Sequence, residues 1–284
     1  MAYQGMNLDE VAAQYNPRID VPDYDTWMAQ WARSSEAARA NLVGQYDIAY
    51  GDTPGQRLDV FPASASGAAV NVFIHGGGWR YLDKADHTFA SAPVVGAGHA
   101  SVQLNYDLCP SVPLADAVEQ VRTGIRWVRD NAHTFNADPE RIYVSGHSAG
   151  AHLAAMLTME GWTERYGLPE DVVKGAAIVS AAFDLEPMLM VPGAEELQVD
   201  PVQYEALSPI ALNPNPKVDY LIAVGACETT EWLRQTQRMV DKLTAAQCRV
   251  EYIASPRDHH YSTLPCMANE TAPIGLRLLA QMDR

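Results

Sequence analysis

Apolar and polar positions along the chain fall into two alternating rhythms. Short runs rich in β-branched and aromatic residues recur at 46–50, 57–61, 70–74, 100–104, 141–145, 175–180, 220–224 and 249–253, each of strand length. The first two flank Gly51-Asp52-Thr53-Pro54-Gly55-Gln56, a turn-rich connector too short for a crossover, so that pair should be antiparallel. Beyond it, stretches of helical period separate the strands. A helical stretch is expected near 85–92, and from Leu114 to about Asn131 the residues Val118, Val121, Ile125 and Val128 form an i, i+3, i+7 stripe. Helices alternating with apolar strands predict a mostly parallel eight-stranded sheet covered on both faces, opened by one antiparallel pair. Ligands of such sheets collect at the carboxyl ends of the strands.

Two stretches fall outside this rhythm, and a single domain over 1–284 with two decorations is expected. The first, 1–45, reads as helix and turn and should form a helical cap segment. Within it Trp27 and Trp31 stand at i, i+4 after Pro22-Asp23, as core packing or as aromatic surface lent to a site. The second, 185–217, carries Pro187, Pro192, Pro201, Pro209, Pro214 and Pro216. It is too long for an ordinary connection and too proline-broken for one helix, yet Met188, Leu189, Met190, Val191, Leu197 and Leu207 give it apolar surface to pack, as a lid-like insertion would.

Composition removes several classes of partner. With 284 residues, 48% hydrophobic, the chain buries a large core, and its net charge of −15 with no basic cluster opposes binding to nucleic acid or an anionic membrane. No stretch is long and apolar enough to span a bilayer, and the first ten residues lack the basic and apolar regions of a signal peptide, so a cytoplasmic location is expected. Cys109, Cys227, Cys248 and Cys266 are scattered, which predicts free buried thiols. No His, Asp and Glu stand at metal-ligand spacing, so neither a metal nor a cofactor is expected. The remaining partner is a small-molecule substrate, and the sequence leaves open whether the protein acts as a monomer or a homodimer.

The chemistry begins at Ile142-Tyr143-Val144-Ser145-Gly146-His147-Ser148-Ala149-Gly150. An apolar strand passes into strong helix formers with almost no room to turn, and Gly146 and Gly150 flank the turn residue. This Gly-x-Ser-x-Gly pattern lifts a serine hydroxyl above the sheet, beside the free N–H groups of a first helical turn. A serine nucleophile needs a base, and the base needs a carboxylate to hold its tautomer. Cys227-Glu228 follows the seventh strand, and Asp258-His259-His260-Tyr261 follows the eighth. Nucleophile, acid and base then run in the order Ser148, Glu228 and one of the two adjacent histidines; Asp184, after the sixth strand, is a rival acid or a loop brace. His75-Gly76-Gly77-Gly78-Trp79 follows the third strand. Its backbone can approach a substrate closely, which makes the amides of Gly77, Gly78 and Ala149 the expected oxyanion donors. No Gly-Lys-Ser/Thr follows, so this is not a phosphate loop.

The His75–Trp79 loop and the Ser148 elbow resemble the hormone-sensitive-lipase group of α/β-hydrolases. Gln14-Tyr15-Asn16, Leu58-Asp59-Val60-Phe61-Pro62, Asn105-Tyr106-Asp107-Leu108-Cys109-Pro110 and Glu228-Thr229-Thr230-Glu231-Trp232 narrow the resemblance to its kynurenine formamidase (arylformamidase)-like branch, over nearly the whole chain. The resemblance implies an α/β-hydrolase fold with a partial cap. It also implies a metal-free serine hydrolase acting on aryl formamides such as N-formylkynurenine, or on small esters. The family's histidine precedes an aromatic residue, which fits His260-Tyr261. Its acid is often Asp where this chain has Glu228. Trp27, Trp31, Trp79 and Tyr81 are the aromatic residues available to an aryl pocket. An acyltransferase would use the same triad, and a catalytically silent ligand-binding protein would be expected to have lost part of it.

Overall fold

A computed structural model describes residues 3–19, 21–200 and 202–284. Its eight strands are β1 (Gln45–Ala49), β2 (Arg57–Phe61), β3 (Ala68–Ile74), β4 (Ala100–Leu104), β5 (Ala137–His147), β6 (Val173–Val179), β7 (Asp219–Gly225) and β8 (Arg249–Ser255). They form one sheet in the order β1-β2-β4-β3-β5-β6-β7-β8. β2 runs antiparallel to both β1 and β4, and every pairing from β4 to β8 is parallel. This is the α/β-hydrolase fold.

The helices are α1 (Leu8–Gln14), α2 (Tyr24–Asn41), α3 (Ser91–Gly96), α4 (Leu114–Asn131), α5 (Ala149–Met156), α6 (Thr230–Ala245), α7 (Thr263–Met267) and α8 (Pro273–Met282). They cover both faces, and the period-2 alternation of the strands assigns each side chain to a layer. Val72 and Ile74 of β3 pack with Val118, Val121 and Ile125 of α4. Phe73, between them, packs on the opposite face with Trp31 of α2, Leu264 of α7 and Leu278 of α8. The central strands are buried on both faces, which is why they read as nearly continuous apolar runs.

The stretch expected as helix near 85–92 is a 3-10 turn, Lys84–Ala90, leading into α3. Its start is capped by Asp83, whose side chain accepts from Ala85 N, while Asp86 reaches back to the Asp83 amide. β5 begins at Ala137, four residues before the expected start. The proline-rich insertion breaks into four 3-10 turns, Pro187–Met190, Ala194–Leu197, Tyr204–Leu207 and Pro209–Ala211, because proline cannot donate within a continuous helix. The cysteines are free, as expected, but only Cys109 and Cys248 are buried; Cys266 is partly buried and Cys227 exposed. Among the described residues no helix is long and apolar enough to cross a membrane.

Candidate active site

Ser148 occupies the junction of β5 and α5 with φ 57° and ψ −122°, a backbone conformation that a non-glycine residue holds only when its surroundings impose it. The turn is so tight that a Cβ on Gly146 would strike the Gly150 carbonyl, and one on Gly150 would strike the carbonyls of Ile74 and His75. The Ser148 amide donates to Val179 O at 3.0 Å, anchoring the elbow to the end of β6.

The glycine loop after β3 is equally constrained. Gly77 has φ 113° and Gly78 φ 61°, and any side chain on Gly77 would run into the Tyr81 carbonyl. The Gly77 carbonyl is taken by Arg80 N and Tyr81 N at 3.1 and 2.9 Å. Among the described residues the amides of Gly77, Gly78 and Ala149 donate to no protein acceptor, and all three residues line the pocket that contains Ser148.

His260 lines that pocket and is met there by Glu228 from outside the lining. Glu228 follows β7 and His260 follows β8; the two loops are joined by Ala226 N to Ser255 O at 3.0 Å and Cys227 N to Asp258 O at 2.9 Å. His260 Nδ1 lies 2.7 Å from Glu228 Oε2, with both side chains almost wholly buried. A carboxylate only accepts, so Nδ1 carries a proton toward Glu228, and in a neutral ring Nε2 is then the nitrogen with the lone pair. The other carboxylate oxygen, Oε1, accepts from Gly225 N at 2.8 Å and from Ser180 Oγ at 2.5 Å. His259 lies outside this arrangement, with its ring edge-on to Trp27 at a centroid distance of 4.9 Å. Asp184 is committed elsewhere. It pairs with Arg238 at 2.8 Å and accepts from Glu186 N at 3.2 Å, and so braces its own loop.

The pocket encloses about 570 Å³. Trp31, Trp79 and Tyr81 line it, while Met188, Val191 and Leu197 of the proline-rich insertion and Tyr15, Arg18 and Tyr24 of the N-terminal segment close its sides. Trp27, expected as a fourth aromatic wall residue, is not among the lining residues. The i, i+4 spacing sets Trp27 and Trp31 on one helix face but a full turn apart, and only Trp31 reaches the pocket. Among the described residues no three His, Cys, Asp or Glu side chains are grouped to hold a metal ion.

Residues 58–208, more than half of the chain, match the family model described as BD-FAE. The chain belongs to the BD-FAE family. The kynurenine formamidase of Danio rerio is 29% identical over 295 residues, covering 99% of each chain. A solved structure from Silicibacter sp. TM1040 superposes with a TM-score of 0.84 at 22% identity, covering 97% of this chain and 99% of its own. The carboxylesterase EstE1, cloned from a metagenomic library, superposes at 0.69 with 19% identity, covering 91% and 95%. The chain is thus a hormone-sensitive-lipase-like α/β-hydrolase, similar over its whole length to the formamidase branch.

In this BD-FAE chain the remaining histidines near the site are braces. His147 Nε2 lies 2.7 Å from the His260 carbonyl, and His75 Nδ1 lies 2.8 Å from Gly76 O. Burial lowers the pKa of each, to about 4 at His75 and well below the ordinary range at His147, where the neighbouring His260 adds to the effect. His152 of α5 has two partners. Its Nε2–H donates to Leu207 O at 2.7 Å, and its Nδ1 accepts from Trp79 Nε1 at 3.2 Å, so one neutral tautomer ties the insertion to the glycine loop. Burial holds it neutral, with a pKa of about 4. Ser180 is a second residue that sequence reasoning missed: a lone serine closing an apolar strand carries no pattern.

Proposed function

We propose that the chain is a serine hydrolase that cleaves small aryl formamides, amides or esters through an acyl-enzyme, with Ser148, Glu228 and His260 as its catalytic triad. The observation that carries this reading is the buried 2.7 Å contact of His260 Nδ1 with Glu228, with His260 lining the same pocket as the strained Ser148. His260 Nε2 takes the proton of the Ser148 hydroxyl as its oxygen attacks the substrate carbonyl carbon. The tetrahedral oxyanion is met by the amides of Gly77, Gly78 and Ala149, each such donor worth about 10²–10³ in rate. The bond to the amine or alcohol then breaks, with the proton passing from His260 to the leaving group. Water, deprotonated by the same imidazole, releases the acid, which is formate when the substrate is a formamide. Glu228 keeps Nδ1 protonated and stabilises the imidazolium.

The relatives support formamides and esters as the substrate class, since a full-length relative is a kynurenine formamidase. A pocket walled by Trp31, Trp79 and Tyr81 suits an aryl group. Formyl and acetyl groups differ by one methyl, and a difference of that size usually discriminates by about 10–200-fold. Both formamides and short-chain aryl esters should therefore turn over. The test compares kcat/KM for N-formylkynurenine, phenyl acetate and a long-chain aryl ester, in wild type and in Ser148→Ala. Turnover of the first two, lost in the variant, is expected. Preference for the long chain would overturn the small-acyl reading, and an active, folded Ser148→Ala would overturn the mechanism.

A further inference from the structure

Glu228 holds its position through a hydroxyl that neither the triad nor the pocket includes. A glutamate has one more rotatable bond than an aspartate, so presenting one particular oxygen to an imidazole requires that the other be held. Oε2 faces His260 Nδ1 at 2.7 Å, and Oε1 is held by Gly225 N at 2.8 Å and by Ser180 Oγ at 2.5 Å. The last distance is typical of a hydroxyl donating to a carboxylate. Ser180 is fully buried and does not line the pocket, so it does not touch substrate.

Two further features single out this serine. Its backbone lies at φ 54°, in the left-handed region that glycine adopts freely and serine does not. Its amide donates to Ala223 O at 2.8 Å, which fixes that conformation across the end of the sheet. Other non-glycine residues of this chain share that backbone region, so what sets Ser180 apart is the use of its hydroxyl. The protons show what it is. A carboxylate only accepts, so at 2.5 Å the Ser180 hydroxyl donates to Glu228 Oε1; Thr263 Oγ1, which gives its own hydrogen to the His260 carbonyl at 2.9 Å, is an uncharged and more distant acceptor at 3.3 Å.

We propose that Ser180 is a positioning residue for Glu228, fixing the longer carboxylate arm so that Oε2 stays on His260. This rests on the triad reading above. The test is a double-mutant cycle on the full-length protein with Ser180→Gly and Glu228→Gln, measuring kcat, KM and Tm with phenyl acetate, and Ser180→Ala as a second probe. Glycine suits the backbone, so Ser180→Gly should keep Tm at or above wild type with KM little changed, while kcat falls roughly 10- to 100-fold, the range for a hydrogen bond to a charged group. Added to Glu228→Gln, the same change should lower kcat by less than about threefold, because the group it acts through is already altered. Wild-type kcat in Ser180→Gly would overturn the proposal, as would an equal loss in both backgrounds. A harmless Glu228→Gln would instead overturn the triad reading itself.

Discussion

At Glu228 a single side chain receives three donors: a backbone amide, a hydroxyl and an imidazole N–H. Replacing the carboxylate by an amide retains shape but removes the charge that stabilises an imidazolium, and it allows the wrong tautomer. Glu228→Gln is therefore expected to fold and to lose roughly 10³–10⁴ in kcat, whereas Asp184→Asn, whose carboxylate is tied to Arg238, should stay within a few-fold of wild type. Steady-state kinetics on the two variants decide between them, and the reverse result would move the acid to the loop after β6. Likewise His260→Ala should abolish turnover, and His259→Ala, which removes a ring packed on Trp27 and an acceptor for the Tyr261 amide at 3.2 Å, should largely spare it. Glu228 and the histidine pair were legible because each follows a strand end in a fixed order and the elbow glycines announce a turn, while the choice of His260 over His259 rested on the family resemblance. Ser180 and His152 were not. Their partners lie 48 and 73 residues away, at Glu228 and Trp79, and neither pair repeats at any spacing a single sequence displays.

Elements that looked like decorations build the pocket walls. Gln14 accepts from Thr229 Oγ1 at 2.6 Å through its carbonyl, and from Thr230 Oγ1 and Glu231 N through its side chain. Tyr15 Oη donates to Glu231 Oε2 at 3.2 Å. The stretches Gln14-Tyr15-Asn16 and Glu228–Trp232, separate in the sequence, thus meet where α1 docks on the start of α6. Gln14→Ala removes two of these contacts from a wall and none from the proposed triad, so KM should rise roughly 3- to 10-fold with kcat nearly unchanged. A fall in kcat at constant KM would instead place this contact in the chemistry. Helical periodicity identified α2 and put Trp27 and Trp31 on one face. It could not say which ring reaches a pocket, because that depends on how the helix lies over the sheet.

For the molecule as a whole, the strand count and the antiparallel β1–β2 pair could be read from the apolar runs, whereas the second antiparallel pairing, β2 with β4, and the order β2-β4-β3-β5 depend on long-range pairing that no local pattern encodes. The same packing sets the response to acid. His75, His87, His147 and His152 are buried with lowered pKa values, chiefly through desolvation. Between about 6.5, the unfolded value, and about 4, the folded value of His152, the unfolded chain binds protons that the folded chain refuses. Stability therefore falls as pH falls through that window and levels off below it, by about 3 kcal/mol for His152 alone. Urea unfolding from pH 7.5 to 4.5 should show this slope, and His152→Phe should flatten it; an unchanged slope would mean that His152 is protonated in the fold. The central claim, that this pocket activates Ser148 as a nucleophile, is tested most directly by covalent labelling. The protein is treated with an alkyl fluorophosphonate, followed by intact mass and peptide mapping. The expected result is one adduct per chain, mapped to Ser148, absent in Ser148→Ala and slowed in Glu228→Gln. No adduct on the folded wild type, or an adduct that persists in Ser148→Ala, would contradict it.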